Sequence, residues 1–215
     1  MPYRLLKFGL RSKHPEGRMM RSLSRLRSDY DVVIIGGGGH GLAAAYYLAR
    51  DHGIHNVAVL EKGYIGGGGT GRNTAIIRSN YLTNEGARFY HASTELFEGL
   101  SSELEFNLFY TRRGHFTLAH SPASMNTQRW RAEVNKTLGI DSEMVGPQFI
   151  KQQVPELDLR CGGHQAPIHG ALFHPPGAIA RHDAVAWAYA RGADRQGVEI
   201  HQQTEVRGIE VRDDE

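Results

Sequence analysis

Two apolar runs of four residues, at 32–35 and 57–60, flank a stretch of good helix formers at 42–50. Runs this short, bounded by turn residues, predict strands buried on both faces, and the stretch between them predicts a helix. The pattern is a βαβ unit over 31–61, its helix stopped at Gly53. Further on, Phe89, Ala92, Leu96, Phe97 and Leu100 recur at helical spacing. They predict a helix over 84–100 with that face inward. Residues 107–110 and 115–119 read as a hairpin about Arg112, Arg113 and Gly114. A second helix is expected over 124–138, with Trp130, Val134 and Leu138 packed into a core. Pro147 opens a short helical turn that ends by Pro155. The pattern then returns to strand at 170–173, a turn at 174–177 and a helix at 183–195 that buries Val185, Ala188, Tyr189 and Gly192. Strands follow at 198–200 and 205–211.

The glycines give the first βαβ unit its chemistry. Gly36, Gly38 and Gly41 fit the GxGxxG spacing, with Gly39 also inside the tract. The first glycine permits a tight strand-to-helix turn, the second lets backbone approach a pyrophosphate, and the third lets the helix lie close to the sheet. The phosphates then meet the N–H groups at the helix start. Glu61, twenty positions after Gly41, stands where a carboxylate accepts hydrogen bonds from both hydroxyls of an adenosine ribose. A carboxylate there disfavours the 2′-phosphate of NADP. Strand, glycines, helix, second strand and terminal acid together point to an adenosine dinucleotide.

A second glycine tract follows, with Gly66 to Gly69 and Gly71, then Arg72, Asn73, Thr74 and Arg78. Nucleotide-binding domains of the simplest kind do not need it. Backbone without side chains suits contact with a large flat ligand, so this tract is expected to wrap the cofactor.

Composition narrows the classes. The 215 residues include 25 Lys+Arg and 23 Asp+Glu, a formal net charge of +2, which by itself implies no nucleic-acid partner. Eight of the basic residues lie within 1–28, opposed there only by Glu16. Residues 1–28 are therefore read as a disordered basic lead-in, a partner-binding arm or the product of an early start codon, in preference to a transit peptide. A single cysteine, Cys161, excludes an internal disulfide and fits a reducing, cytoplasmic setting. No apolar run approaches membrane-spanning length. His164, His169, His174 and His182 lack compact ligand spacing, so no metal site is expected.

The stretches DVVIIGGGGHGLAAAYYLA, NVAVLEK, GRNTAIIRSNY and ARHDAVAWAYA together resemble the flavin-dependent amine oxidase family that contains D-amino-acid, glycine and sarcosine oxidases. Within it they are most similar to the beta subunits of heterotetrameric sarcosine oxidases. The resemblance covers roughly 30–211. It implies an α/β, Rossmann-like FAD-binding fold of the D-amino-acid-oxidase type with the beginning of an inserted mixed α+β substrate domain. The corresponding divisions are a leader at 1–28, FAD-binding chain at 29–81, inserted chain at 82–170 and a return to the FAD-binding domain at 171–215.

Functionally, the resemblance implies non-covalent FAD and oxidation of the N-methyl group of sarcosine, a small secondary-amine amino acid. It also implies a second flavin, FMN, at the boundary with an alpha subunit, where oxygen becomes hydrogen peroxide. Gamma and delta subunits complete that complex. FAD contacts carry over to Gly38, Gly39, Glu61, Gly69, Arg72, Thr74, Ile76 and Val206. The histidine that holds FMN covalently aligns with His182, in ARHDAVAW, with His174 as its competitor.

The tract at 66–70 reads GGGGT, where the family loop has fewer glycines and an asparagine before its Arg-Asn pair. The family is also close to twice as long, and the chain is expected to be the N-terminal half of such an enzyme. The half that supplies most of the substrate domain is missing from the pattern. Arg78 and Arg112 are the nearest candidates for a substrate carboxylate clamp, beside the plainer reading of both as structural or surface cations. Two other functions remain open: a single-flavin amino-acid oxidase or dehydrogenase, and an inactive piece that only binds a nucleotide or partner.

Overall fold

A computed structural model describes residues 9–10, 19–159 and 166–211. Cys161, His164 and the acidic residues Asp213, Asp214 and Glu215 lie outside the described residues, as does most of the basic leader. The chain forms two compact units, one of residues 1–65 and 189–215 and the other of residues 66–188.

The first unit is built on a parallel sheet. Strand β1 (Val32–Ile35) leads through helix α1 (Gly39–His52) to β2 (Val57–Leu60). The late strand β9 (Glu199–His201) joins the far edge of β2, giving the order β1-β2-β9. Val32 pairs with Val57, and Ala58 with Glu199. Gly53 ends α1 in the left-handed region, at φ 66°, its N–H donating to the Leu48 carbonyl. This is the glycine stop that the sequence predicts.

β2 is buried as expected, but β1 is not. Val33 and Ile35, alternate residues that share one face of this edge strand, are 49% and 58% exposed, so that face is less covered than the one bearing Val32 and Ile34. The polar lead-in is not loose throughout. Arg21 pairs with Asp194 at 2.7 Å and donates to the Val198 carbonyl at 2.8 Å. Arg27 and Tyr30 both donate to Glu199, at 2.7 and 2.6 Å. Two cations of a leader read from sequence as disordered, partner-binding or the product of an early start codon are thus engaged by β9 and the segment before it.

The second unit has two small sheets. One joins β3 (Ile76–Ile77), β8 (Ala178–Ile179) and β4 (Thr111–Arg112), all antiparallel. The other joins β5 (His115–Ala119), β7 (Gly170–His174) and β6 (Glu143–Val145). The predicted hairpin between β4 and β5 is absent. Each pairs with a distant strand, and Gly114, at φ 76°, turns the chain from one sheet to the other.

Helices α2 (Asn84–Glu103), α3 (Pro122–Thr137) and α4 (Pro147–Gln153) fall where helices are predicted. Thr83 caps α2 and Ser121 caps α3, each accepting a backbone N–H of the first turn. Their buried faces differ from expectation. α2 buries Ala87, Thr94 and Leu100, leaving Phe89 69% and Leu96 57% exposed. α3 buries Arg131, Ala132 and Asn135, and Trp130 is 63% exposed. Helical period was legible; the inward face was not, and for α3 it is the face packed against β5, β6 and β7. Helix α5 (His182–Arg195) buries Val185, Ala188, Tyr189 and Gly192 as predicted. No strand forms over 205–211 among the described residues, so Val206 sits in irregular chain.

Candidate cofactor-binding site

The glycine turn after β1 is held by its own backbone. Gly36 lies at φ 109° and donates to the Leu60 carbonyl at 2.9 Å. A Cβ at Gly41 would overlap the Gly36 carbonyl oxygen, so the third fingerprint glycine is a steric necessity. Gly38 is the N-cap of α1, and no side chain caps that helix. Its start is therefore left to backbone groups, the arrangement that suits a phosphate.

Glu61 lies at the C-terminal end of β2, beside this turn. One carboxylate oxygen accepts the Gly37 N–H at 2.8 Å, and the other accepts the Gly63 N–H at 2.7 Å. Gly37 is closely matched to it, since a Cβ there would meet the Glu61 Cβ at 3.0 Å. The carboxylate is thus locked in one orientation, and each oxygen keeps acceptor capacity for a ligand hydroxyl.

Sequence reading missed the clip that holds the loop after Glu61. Gln202 accepts the Ile65 N–H at 2.9 Å, and Gln203 donates to the Gly63 carbonyl from its backbone (3.0 Å) and its side chain (2.9 Å). Thr204 N–H donates to the Glu61 carbonyl at 2.9 Å. Gln203 sits at φ 56°, a signal invisible in the sequence because the residue is not glycine. Val206 follows this clip and is half-buried. In the first unit the fold therefore brings together Gly36, Gly38, Gly39, Gly41 and Glu61.

The other predicted contacts belong to the second unit. Gly66 is at φ 73°, and a Cβ at Gly71 would overlap the Gly66 carbonyl, the same device as at Gly36 and Gly41. Gly68 and Gly69 have ordinary φ and open space where a Cβ would stand, so packing within the chain does not demand glycine there. That open backbone fits a bound flat group. Asn73 is not free to contact one. Its side chain donates to the Thr70 carbonyl at 2.6 Å and accepts the Ala75 N–H at 2.6 Å. Arg72, Thr74 and Ile76 are exposed.

The two competing histidines differ in kind. His174 is fully buried; its Nδ1 lies 2.6 Å from the Asp141 carbonyl, and its Nε2 faces the N–H and hydroxyl of Ser79 at 3.4 and 3.3 Å. Burial holds its pKa below the ordinary value, against the pull of the Asp141 carbonyl. His182 is half-buried at the start of α5, and its Nδ1 has no hydrogen-bond partner. Of the two carboxylate-clamp candidates, Arg112 pairs with Glu98 at 3.2 Å, whereas Arg78 faces no carboxylate among the described residues. No helix among the described residues is long and apolar enough to cross a membrane.

A parallel βαβ sheet with a glycine turn and a braced acid at its C-terminal ends defines an α/β Rossmann-like dinucleotide-binding fold. The chain belongs to the DAO family of FAD-dependent oxidoreductases, whose pattern matches residues 31–215. It is 46% identical over 197 residues to sarcosine oxidase subunit beta of an Arthrobacter species, covering 92% of this chain and 48% of that protein. It is 49% identical over 180 residues to sarcosine oxidase subunit beta of Rhizobium meliloti, covering 84% of this chain and 43% of the relative. Among solved structures, L-proline dehydrogenase from P. horikoshii superposes with a TM-score of 0.79 at 27% identity, over 88% of this chain and 48% of that one. The chain spans about half the length of the curated relatives it matches.

Proposed function

We propose that this chain supplies FAD-binding machinery to a heterotetrameric amine oxidase that acts on sarcosine, as a beta-type subunit beside alpha, gamma and delta partners. The observation that carries this reading is the close identity to sarcosine oxidase beta subunits along nearly the whole chain. In the overall reaction sarcosine, oxygen and water give glycine, formaldehyde and hydrogen peroxide, the one-carbon unit passing to tetrahydrofolate when folate is present.

FAD supplies the two-electron oxidant when bound. Glu61, held by the Gly37 and Gly63 N–H groups, accepts the two ribose hydroxyls and rejects a 2′-phosphate. The turn at Gly36 to Gly41 and the start of α1 receive the pyrophosphate. Gly69, Arg72, Thr74 and Ile76 line the cofactor from the second glycine tract, and Val206 lies toward the adenine. Arg78 takes the substrate carboxylate, which the Glu98 ion pair leaves Arg112 poorly placed to do.

FMN is the second cofactor, held covalently through His182. The partnerless Nδ1 of His182 favours it over His174, both of whose nitrogens are already engaged. Acid precipitation of the flavin-loaded complex tests the attachment. Yellow colour should stay in the protein pellet, and His182→Ala should release it to the supernatant. Colour retained by His182→Ala rejects the assignment. Glu61→Gln should weaken FAD binding by about tenfold, a loss of about 1.4 kcal/mol, as charge-assisted hydrogen bonds become neutral ones.

A further inference from the structure

The second unit holds a cluster of basic side chains, two arginines and two histidines, that the cofactor site does not use. Arg78 follows β3, Arg131 lies on α3, His115 starts β5 and His174 ends β7. Arg131 is only 8% exposed and donates through Nη2 to the Asn80 carbonyl. Arg78 reaches the same residue through Nη1 alone, at 2.9 Å from Oδ1 and 3.4 Å from the carbonyl. Its guanidinium rests 4.3 Å from the Tyr81 ring centroid. His174 fixes the intervening backbone by accepting the Ser79 N–H.

The cluster is rich in donors and poor in acceptors. Neither arginine has a carboxylate at ion-pair distance among the described residues. The Arg131 Nε and Asn80 Nδ2 are buried without a hydrogen-bond partner. His115 is pushed down to about 4 by burial and by the nearby Arg78, His174 and Arg131, so it adds no charge at neutral pH. Uncompensated buried cations are costly unless an anion completes the set.

We propose that Arg131 is a positioning residue for a carboxylate-binding site centred on Arg78. The proposal rests on the functional reading above. By occupying the Asn80 carbonyl, Arg131 keeps Arg78 from settling fully on it, so the Nε and Nη2 edge of Arg78 stays open. That edge is the planar fork that receives a carboxylate in two parallel hydrogen bonds. The second positive charge adds to the attraction for the anion, and the ligand class is a small amino acid bound by its carboxylate.

The test is calorimetric binding of sarcosine to the full chain reconstituted with FAD, with melting temperature and FAD stoichiometry measured on the same samples. Arg131→Met keeps the apolar stem and removes every donor; Arg131→Lys restores the charge with one point donor. Arg131→Met should weaken sarcosine at least tenfold with FAD stoichiometry unchanged, and Arg131→Lys should recover part of the loss. Arg78→Met should abolish binding. Loss in Arg78→Met with wild-type affinity in Arg131→Met overturns the positioning role and leaves the carboxylate reading standing. Wild-type affinity in both variants, or no sarcosine binding by the unmodified chain, overturns both. If Arg131→Met and Arg131→Lys lose FAD and melting temperature together with sarcosine, Arg131 is purely structural and the proposal fails.

Discussion

Two histidines of the second unit are kept neutral by their surroundings. Burial lowers the pKa of both, reaching about 4 for His115, and neighbouring arginine charge adds to it. An unfolded histidine titrates near ~6.5, so below that pH the unfolded chain binds protons that the folded chain refuses. The stability they contribute is present above pH ~6.5 and lost as pH falls from there toward about 4. Glu199 acts in the same direction at lower pH. Burial opposes its ionisation, but donors from Tyr30, His201 and Arg27 outweigh that and hold it below the usual glutamate range. Urea melts at a series of pH values should show the midpoint dropping between pH ~6.5 and ~4, with His115→Phe flattening part of the slope. A midpoint constant across that range would contradict the burial of both rings.

At the scale of elements, the two glycine tracts share a steric device thirty residues apart. Gly36 and Gly66 both take positive φ, and Gly41 and Gly71 both approach the carbonyl of the first glycine too closely for a side chain. Gly41→Ala and Gly71→Ala should each destabilise by about 1–3 kcal/mol, because backbone rather than a flexible side chain would have to move. Gly69→Ala, in a short helical turn, meets nothing within 4 Å, so its stability should stay near wild type. If the tract wraps a flavin, the same change should weaken flavin retention. Denaturant melts and flavin titration separate the two effects. Ala75 is strained in the opposite sense: a non-glycine residue at φ 59° between Asn73 and β3. Ala75→Gly should remove about 1 kcal/mol of that strain, part of which is offset by the freer unfolded chain.

For the whole molecule, the lead-in at 19–30 is tied to the far edge of the parallel sheet. Glu199, on β9 and 7% exposed, gathers Arg27, Tyr30 and His201 within hydrogen-bonding distance. Tyr30→Phe deletes one donor to a nearly buried carboxylate and should cost about 1.5–3 kcal/mol. An effect under ~0.5 kcal/mol, typical of a surface change, would show that the lead-in does not dock.

The fold's beginning was legible in unequal measure. The βαβ unit, its glycine stop at Gly53 and the position of Glu61 are local features, written in spacing and in residues with special backbone freedom. The edge position of β1 was not legible, because an apolar run states that a strand is buried but not which neighbours it has. The same limit explains the exposed Phe89, Leu96 and Trp130. Periodicity reports that a helix forms, and only the segments packed against it choose the face. The Gln202 to Thr204 clip and the Arg131–Asn80 contact escaped for a third reason. They are long-range polar pairings of residue types that carry no motif.

By itself, the order of residues determined a glycine-rich strand-to-helix turn, an acid at the end of the second strand, a second glycine tract and two histidines worth comparing. Tertiary structure decided which groups those features can use. It braced Glu61 between two backbone N–H groups, buried His174 with both nitrogens engaged and left the His182 Nδ1 without a partner. It also placed Arg131 against Asn80, fifty-one residues away in the chain. Backbone conformation follows from nearby residues, whereas burial, charge compensation and hydrogen-bond supply depend on which distant segments the fold brings into contact.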